Sequence, residues 1–242
     1  VEAGGYAVID DEYVLVSAID ATAGTATIAR GLLDTVPAEH AAGSRIWFAD
    51  GFAGFDTTEY ADGETLDVKL LPLTGRGELA LAEAPVDSLT FDQRQFRPYP
   101  PGNLKFAGSV SPAASALAAS DYPSAISGTL TISWAHRDRL LQTAYLVTQS
   151  EASIGPEPGT TYSVEIRVGG SLIESASGIS GTSYAASVAG DLVIEVTLYA
   201  LRDGLRSYQS HVHTMTLSGD NNLLTEDGDT HADEAGASMI LE

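Results

Sequence analysis

Tyr162-Ser163-Val164-Glu165-Ile166-Arg167-Val168-Gly169-Gly170 decides the fold. Tyr162, Val164, Ile166 and Val168 fall on one face of an extended chain, while Ser163, Glu165 and Arg167 fall on the other. This is the period-two pattern of a strand with one side in a core. The glycine pair that follows supplies a tight hairpin turn. Leu130, Ile132 and Trp134 upstream repeat the alternation, as do Ile194, Val196, Leu198 and Ala200 downstream. Strands at this spacing, with no long amphipathic helix between them, predict two packed antiparallel sheets over residues 100–217.

Two stretches depart from a minimal sandwich. Residues 107–128 are dominated by Ala, Ser and Pro and predict a long surface excursion before the Trp134 strand. Residues 137–159 contain the apolar patch Ala144-Tyr145-Leu146-Val147 and end in the stiff turn Ile154-Gly155-Pro156-Glu157-Pro158-Gly159. Tyr99-Pro100-Pro101-Gly102-Asn103-Leu104-Lys105 breaks the chain upstream, so residues 1–97 read as a separate small all-β domain. There, 13–19 and 25–30 predict a hairpin around Asp20-Ala21-Thr22-Ala23-Gly24, with further strands at 45–48, 65–71 and 78–83. Such short strands predict a small barrel or sandwich. Pro37 interrupts them, and Ala38-Glu39-His40-Ala41-Ala42 predicts one helical turn. The expected organisation is therefore all-β: a small β-barrel or sandwich over 1–97, a sandwich with long loop insertions over 98–218, and an acidic tail over 219–242. The tail holds seven acidic residues and no Lys or Arg, and it reads as exposed, with 237–241 able to pair with a neighbouring chain.

Composition narrows the partners. Twelve Lys and Arg stand against 33 Asp and Glu, a formal charge of −21 that repels phosphate backbones and anionic lipid surfaces, so nucleic acid is not an expected partner. With 44% hydrophobic residues the chain can bury a core, and without cysteine it has no disulfide, thiol nucleophile or thiolate metal site. No apolar run approaches the roughly 18 residues of a membrane span, so membrane insertion is not expected either. Val1 is not an initiator and the methionines are Met215 and Met239, which predicts a processed chain or a piece of a longer polypeptide.

No catalytic constellation stands out, and no cofactor is implied. His211-Val212-His213 places two imidazoles on one face of a strand, but a third metal ligand is not evident. Met215 and Leu217 share that parity, which predicts His213 at the edge of the core and His211 near its rim. Asp227-Gly228-Asp229 with Asp233 and Glu234 offers oxygen ligands but departs from the EF-hand pattern at His231 and Ala232. Carboxylate pairs drawn from Asp10, Asp11 and Glu12, or from Asp87 and Asp92, arise by chance among 33 acids, and no Gly-x-Ser-x-Gly elbow is present. The patch His136-Arg137-Asp138-Arg139 holds two of the ten arginines directly after a core strand. In one reading Arg137 and Arg139, with Tyr145, contact a partner subunit or a glycan. In the other, Asp138 and the two arginines fix the long loop against the sandwich. Tyr184 and Tyr208 are further aromatics that either stack on sugar rings or pack on a sheet face.

Trp134 and Tyr162, with Ala200, Gly204 and Ser207, resemble the core and late-strand pattern of the fibronectin type III family. A second resemblance spans both halves of the chain. Ala29-Arg30-Gly31-Leu32-Leu33-Asp34-Thr35-Val36-Pro37-Ala38-Glu39-His40-Ala41-Ala42-Gly43-Ser44-Arg45-Ile46-Trp47-Phe48 is similar to a segment of the large tail tip (hub, host-specificity) proteins of siphophages and gene transfer agents. So are Trp134-Ala135-His136-Arg137-Asp138-Arg139-Leu140 and Gly155-Pro156-Glu157-Pro158-Gly159-Thr160-Thr161-Tyr162. The resemblance implies a structural, non-enzymatic part of a virion tail tip, located in its C-terminal region. Its expected partners are other tail tip or tail fibre proteins, assembled as an oligomer, and a host-surface glycan or protein. The alternative is a carbohydrate-binding or spacer module of a secreted bacterial enzyme or adhesin.

Overall fold

A computed structural model describes residues 4–49, 56–107, 114–115, 123–141, 147–150, 153–219, 223–224 and 230–231. It opens with strands β1 (Tyr6–Ile9), β2 (Glu12–Asp20), β3 (Thr25–Ala29) and β4 (Ile46–Phe48), which form an antiparallel sheet in the order β3-β2-β1-β4. The expected 13–19/25–30 hairpin is β2–β3, and Asp20 closes its turn by accepting bonds from the amides of Thr22 and Ala23. Ala7, Val14 and Val16 bury one face. The helical turn expected at 38–42 does not form. In such a turn the Ala38 carbonyl would accept from the Ala42 amide, and here it accepts from Arg30 instead.

The next strands, β5 (Thr65–Val68), β6 (Leu73–Thr74), β7 (Gly77–Glu78) and β8 (Asp87–Thr90), pair only among themselves, β5 with β8 and β6 with β7. A single 3-10 turn at Arg94–Phe96 follows. The chain divides into a unit of Val1–Gly51 with Pro98–Glu242 and a second unit, Phe52–Arg97. The expected domain boundaries, 1–97 and 98–218, are thus redrawn: the border at 97/98 marks the end of an insertion, and the N-terminal sheet belongs to the same unit as the sandwich. The strand expected at 78–83 shrinks to Gly77–Glu78, and 81–83 form a turn. Within the second unit, Thr65 bonds Thr90 and Ser88 donates to Asp67, so one face of the β5–β8 pair is polar, while Tyr60 stacks on Phe91 at 4.6 Å.

The sandwich follows as β9 (Gly102–Ala107), β10 (Ala114–Ser115), β11 (Ala125–Ser127), β12 (Thr131–Ala135), β13 (Thr161–Val168), β14 (Ser171–Ile179), β15 (Ser183–Ala185), β16 (Leu192–Arg202), β17 (Leu205–Arg206) and β18 (His211–Ser218). One sheet runs β10-β9-β12-β15 and the other β11-β18-β16-β13-β14, with β17 beside β16. Three strands, β9, β12 and β15, therefore oppose a β14-β13-β16-β18 sheet, which is the strand order of a fibronectin type III sandwich. Gly169 and Gly170, at φ 54 and 82, turn β13 into β14 with Val168 opposite Ser171, as the alternation requires. Phe106, Leu130, Ile132, Tyr162, Ile166 and Leu198 fill the core, and Trp134 meets Tyr162 edge to face at 5.4 Å. Ser207 bonds back to Ala200 through its amide, which fixes the corner after Gly204.

Residues 107–128 are more than a surface excursion at their two ends. β10 joins β9, whereas β11 runs parallel to β18, so the chain passes from one sheet to the other. Beyond the sandwich, β19 (Leu223–Leu224) pairs with β20 (Thr230–His231). The acidic candidates Asp227, Asp229, Asp233 and Glu234, and the pairing segment 237–241, lie outside the described residues. No helix among the described residues is long and apolar enough to cross a membrane.

Candidate functional site

Glu12 shares the inward parity of Val14 and Val16, and it is 1% exposed. A carboxylate so placed is costly unless its oxygens are fully engaged. Its Oε1 accepts from Arg30 Nε at 2.7 Å and the Gly31 amide at 2.9 Å. Its Oε2 accepts from Arg30 Nη2 at 2.6 Å, the Ala38 amide at 3.0 Å and His40 Nε2 at 2.9 Å. The Arg30 fork is the strong bidentate geometry. The other imidazole nitrogen, Nδ1, donates to Asp10 Oδ2 at 2.8 Å, and this bond holds the Asp10 carboxyl below its usual range. Ser44 donates to the same Asp10 oxygen. Hydroxyl and imidazole thus converge on one carboxylate oxygen instead of relaying a proton, and the trio lacks the order of an activated nucleophile.

The segment organised by Glu12 docks on the loop that follows β12. Arg137 sends Nη1 to the Gly31 carbonyl at 3.3 Å and Nη2 to that of Val147 at 3.0 Å, with its guanidinium 5.2 Å from the Tyr99 ring. Burial pushes the Tyr99 phenol up. The Gln149 amide donates to Arg30 O, its side chain donates to Thr35 O, and its carbonyl accepts from Asn103. Gln209 completes the clasp, accepting from the Val36 amide and donating to Asp11 O.

Arg139 and Glu157 form a second ion pair, with the carboxylate buried and the guanidinium half-buried. Arg139 Nε lies 2.9 Å from both oxygens of Glu157, and Arg202 of β16 reaches the same carboxylate. Asp138 accepts from the amides of Leu140 and Leu141. Arg137 and Arg139, partner or glycan contacts in one reading and loop fasteners in the other, both bond groups of their own unit, and Arg137 is 4% exposed. This is the local reading of the His136–Arg139 patch. Tyr145 lies outside the described residues. Tyr184 donates to Glu174 at 2.6 Å, a bond that with some burial pushes its phenol up to about 12, so it is a packing residue. Tyr208 is exposed.

The two histidines of β18 reverse their expected places. His211 is buried and donates Nε2–H to Pro101 O at 2.7 Å, whereas His213 is half-buried, with its ring on Phe106 at 5.3 Å and Nε2 on Pro123 O. Among the described residues no three His, Asp or Glu side chains are grouped to hold a metal. Burial pushes His211 down from 6.5 to about 4. A neutral imidazole is therefore favoured in the fold: its contribution is intact above the unfolded value and is lost as pH falls through 6.5 towards 4. The loss is on the order of 3 kcal/mol. Urea midpoints measured across this window should fall less steeply for His211→Gln, which keeps a donor for Pro101 O but does not titrate. An unchanged slope would contradict the assignment.

Glu12, Gln149 and Gln209 were not legible as site residues. The one available signal was Glu12 itself, an acid on the parity of an apolar strand face. No family model and no curated protein matches the chain. Among solved structures, domains d3–d4 of the rat CD45 extracellular region align with a TM-score of 0.30 and 10% identity, over 84% of this chain and 94% of that one.

Proposed function

We propose that this chain is a non-enzymatic part of the large tail tip protein of a siphophage or gene transfer agent, serving tail architecture and host attachment. The observation that carries the reading is where the family-like stretches lie. Arg30 and Gly31 belong to the first, Arg137 and Arg139 to the second, and Glu157 to the third; these residues supply much of the clasp and its adjoining ion pair. A hub protein that must keep its peripheral modules in fixed register has a use for such fasteners. Attachment would proceed through several weak contacts presented together on one particle, gaining avidity without a deep pocket. Immunogold labelling of particles with antibody to this chain is the test: label at the tail tip supports the reading, and label elsewhere on the particle overturns it.

A further inference from the structure

The outward face of the N-terminal sheet carries an aromatic row, in which Tyr13 is half-buried and bonds Thr35 and Leu32 through its backbone. Strand register sets Trp47 opposite Val8, Val8 opposite Tyr13, and Tyr6 opposite Leu15. Residues of this parity point away from Ala7, Val14 and Val16, so Trp47, Val8 and Tyr13 form one row across three strands with Tyr6 beside it. Trp47 is 60% exposed and Tyr6 41%. Tyr6 meets Tyr13 edge to face at 6.0 Å, and the Arg45 guanidinium lies 5.3 Å from the Trp47 ring centroid. An open indole, two tyrosines and an arginine on one flat sheet face are side chains that gain most from being covered.

We propose that this face binds a neutral, extended polysaccharide. The aromatic rings offer flat apolar surfaces to the C–H faces of pyranose rings, and Arg45 adds donors for hydroxyl oxygens. Spacing favours a linear chain: Trp47 and Tyr13 are two strands apart, roughly 9–10 Å at sheet spacing. That is close to the advance of two sugars in an extended β-linked glycan, so the two rings engage alternate residues. Charge selects among glycans. A formal −21 repels acidic polysaccharides and leaves neutral ones unaffected. The proposal draws on the attachment reading only for the biological source of the glycan, and its test does not involve the particle.

The full 242-residue chain is titrated calorimetrically, and by tryptophan emission, with cellohexaose, mannohexaose, N-acetyl-chitohexaose and polygalacturonate. Binding of at least one neutral hexasaccharide is expected, with polygalacturonate inert. Trp47→Ala and Tyr6→Ala remove exposed side chains and should fold normally by circular dichroism, and Trp47→Ala should weaken binding about tenfold or more. The proposal is overturned if no neutral hexasaccharide binds, or if Trp47→Ala binds as tightly as the parent. It is also overturned if the parent self-associates and Trp47→Ala does not, which would make the face a protein interface. Failure here with label at the tail tip would discard the glycan face alone.

Discussion

Replacing Glu12 with alanine is expected to lower the stability of the unit that holds the N-terminal sheet and the sandwich by roughly 3–5 kcal/mol, the cost of breaking a buried ion pair from one side. The change strands the Arg30 guanidinium and leaves the amides of Gly31 and Ala38 without their acceptor. Urea unfolding followed by far-UV circular dichroism measures the loss, and hydrogen exchange localises it, with the Gly31 and Ala38 amides losing protection first. The double variant Glu12→Leu/Arg30→Met should be less damaged than Glu12→Ala, because removing both charges leaves no unpaired ion. If the single variant loses less than about 1 kcal/mol, the carboxylate does not organise the loop.

Gly31→Ala is expected to cost roughly 4 kcal/mol, from a left-handed backbone penalty and overpacking together. Gly31 sits at φ +61, and a Cβ there would lie 2.1 Å from Gln149 Cγ and 2.8 Å from Pro37 Cδ. Gln149 is buried and Pro37 is a rigid ring, so neither yields easily. The residue also stands where the clasp crosses, its amide on Glu12 and its carbonyl on Arg137. Gly43→Ala provides the comparison: that glycine also has positive φ, 91, but a Cβ there meets nothing within 4 Å. Its cost should be confined to the backbone term, about 1 kcal/mol. Equal losses for the two variants would show that packing against Gln149 and Pro37 contributes nothing.

The sandwich was legible because its information is local. Tyr162, Val164 and Ile166, or Ile194, Val196 and Leu198, announce a buried face within seven residues, and Gly169-Gly170 announces the turn. The clasp was not, because its bonds join residues far apart in sequence: Arg137 to Gly31, Gln149 to Thr35 and Gln209 to Val36. No periodicity encodes such pairs. Arg137 and Arg139 drew notice for their density, but density does not tell a recognition loop from an internal brace; the answer lay with Gly31 and Glu157. The insertion at 52–97 escaped for a related reason. Its short strands continue the rhythm of the preceding ones, and only the pairing shows that they bond among themselves.

The clasp also sets how force would travel through the chain. The segments on both sides of residues 52–97 belong to the unit that the clasp ties together, while residues 52–97 leave that unit and return to it. Tension applied between β1 and β18 is therefore borne by the hydrogen bonds of Glu12, Arg137, Gln149 and Gln209, and the inserted unit stays slack until they yield. Pulled in an optical trap from handles at β1 and β18, the protein should yield first at the clasp, with the small unit extending only after that event.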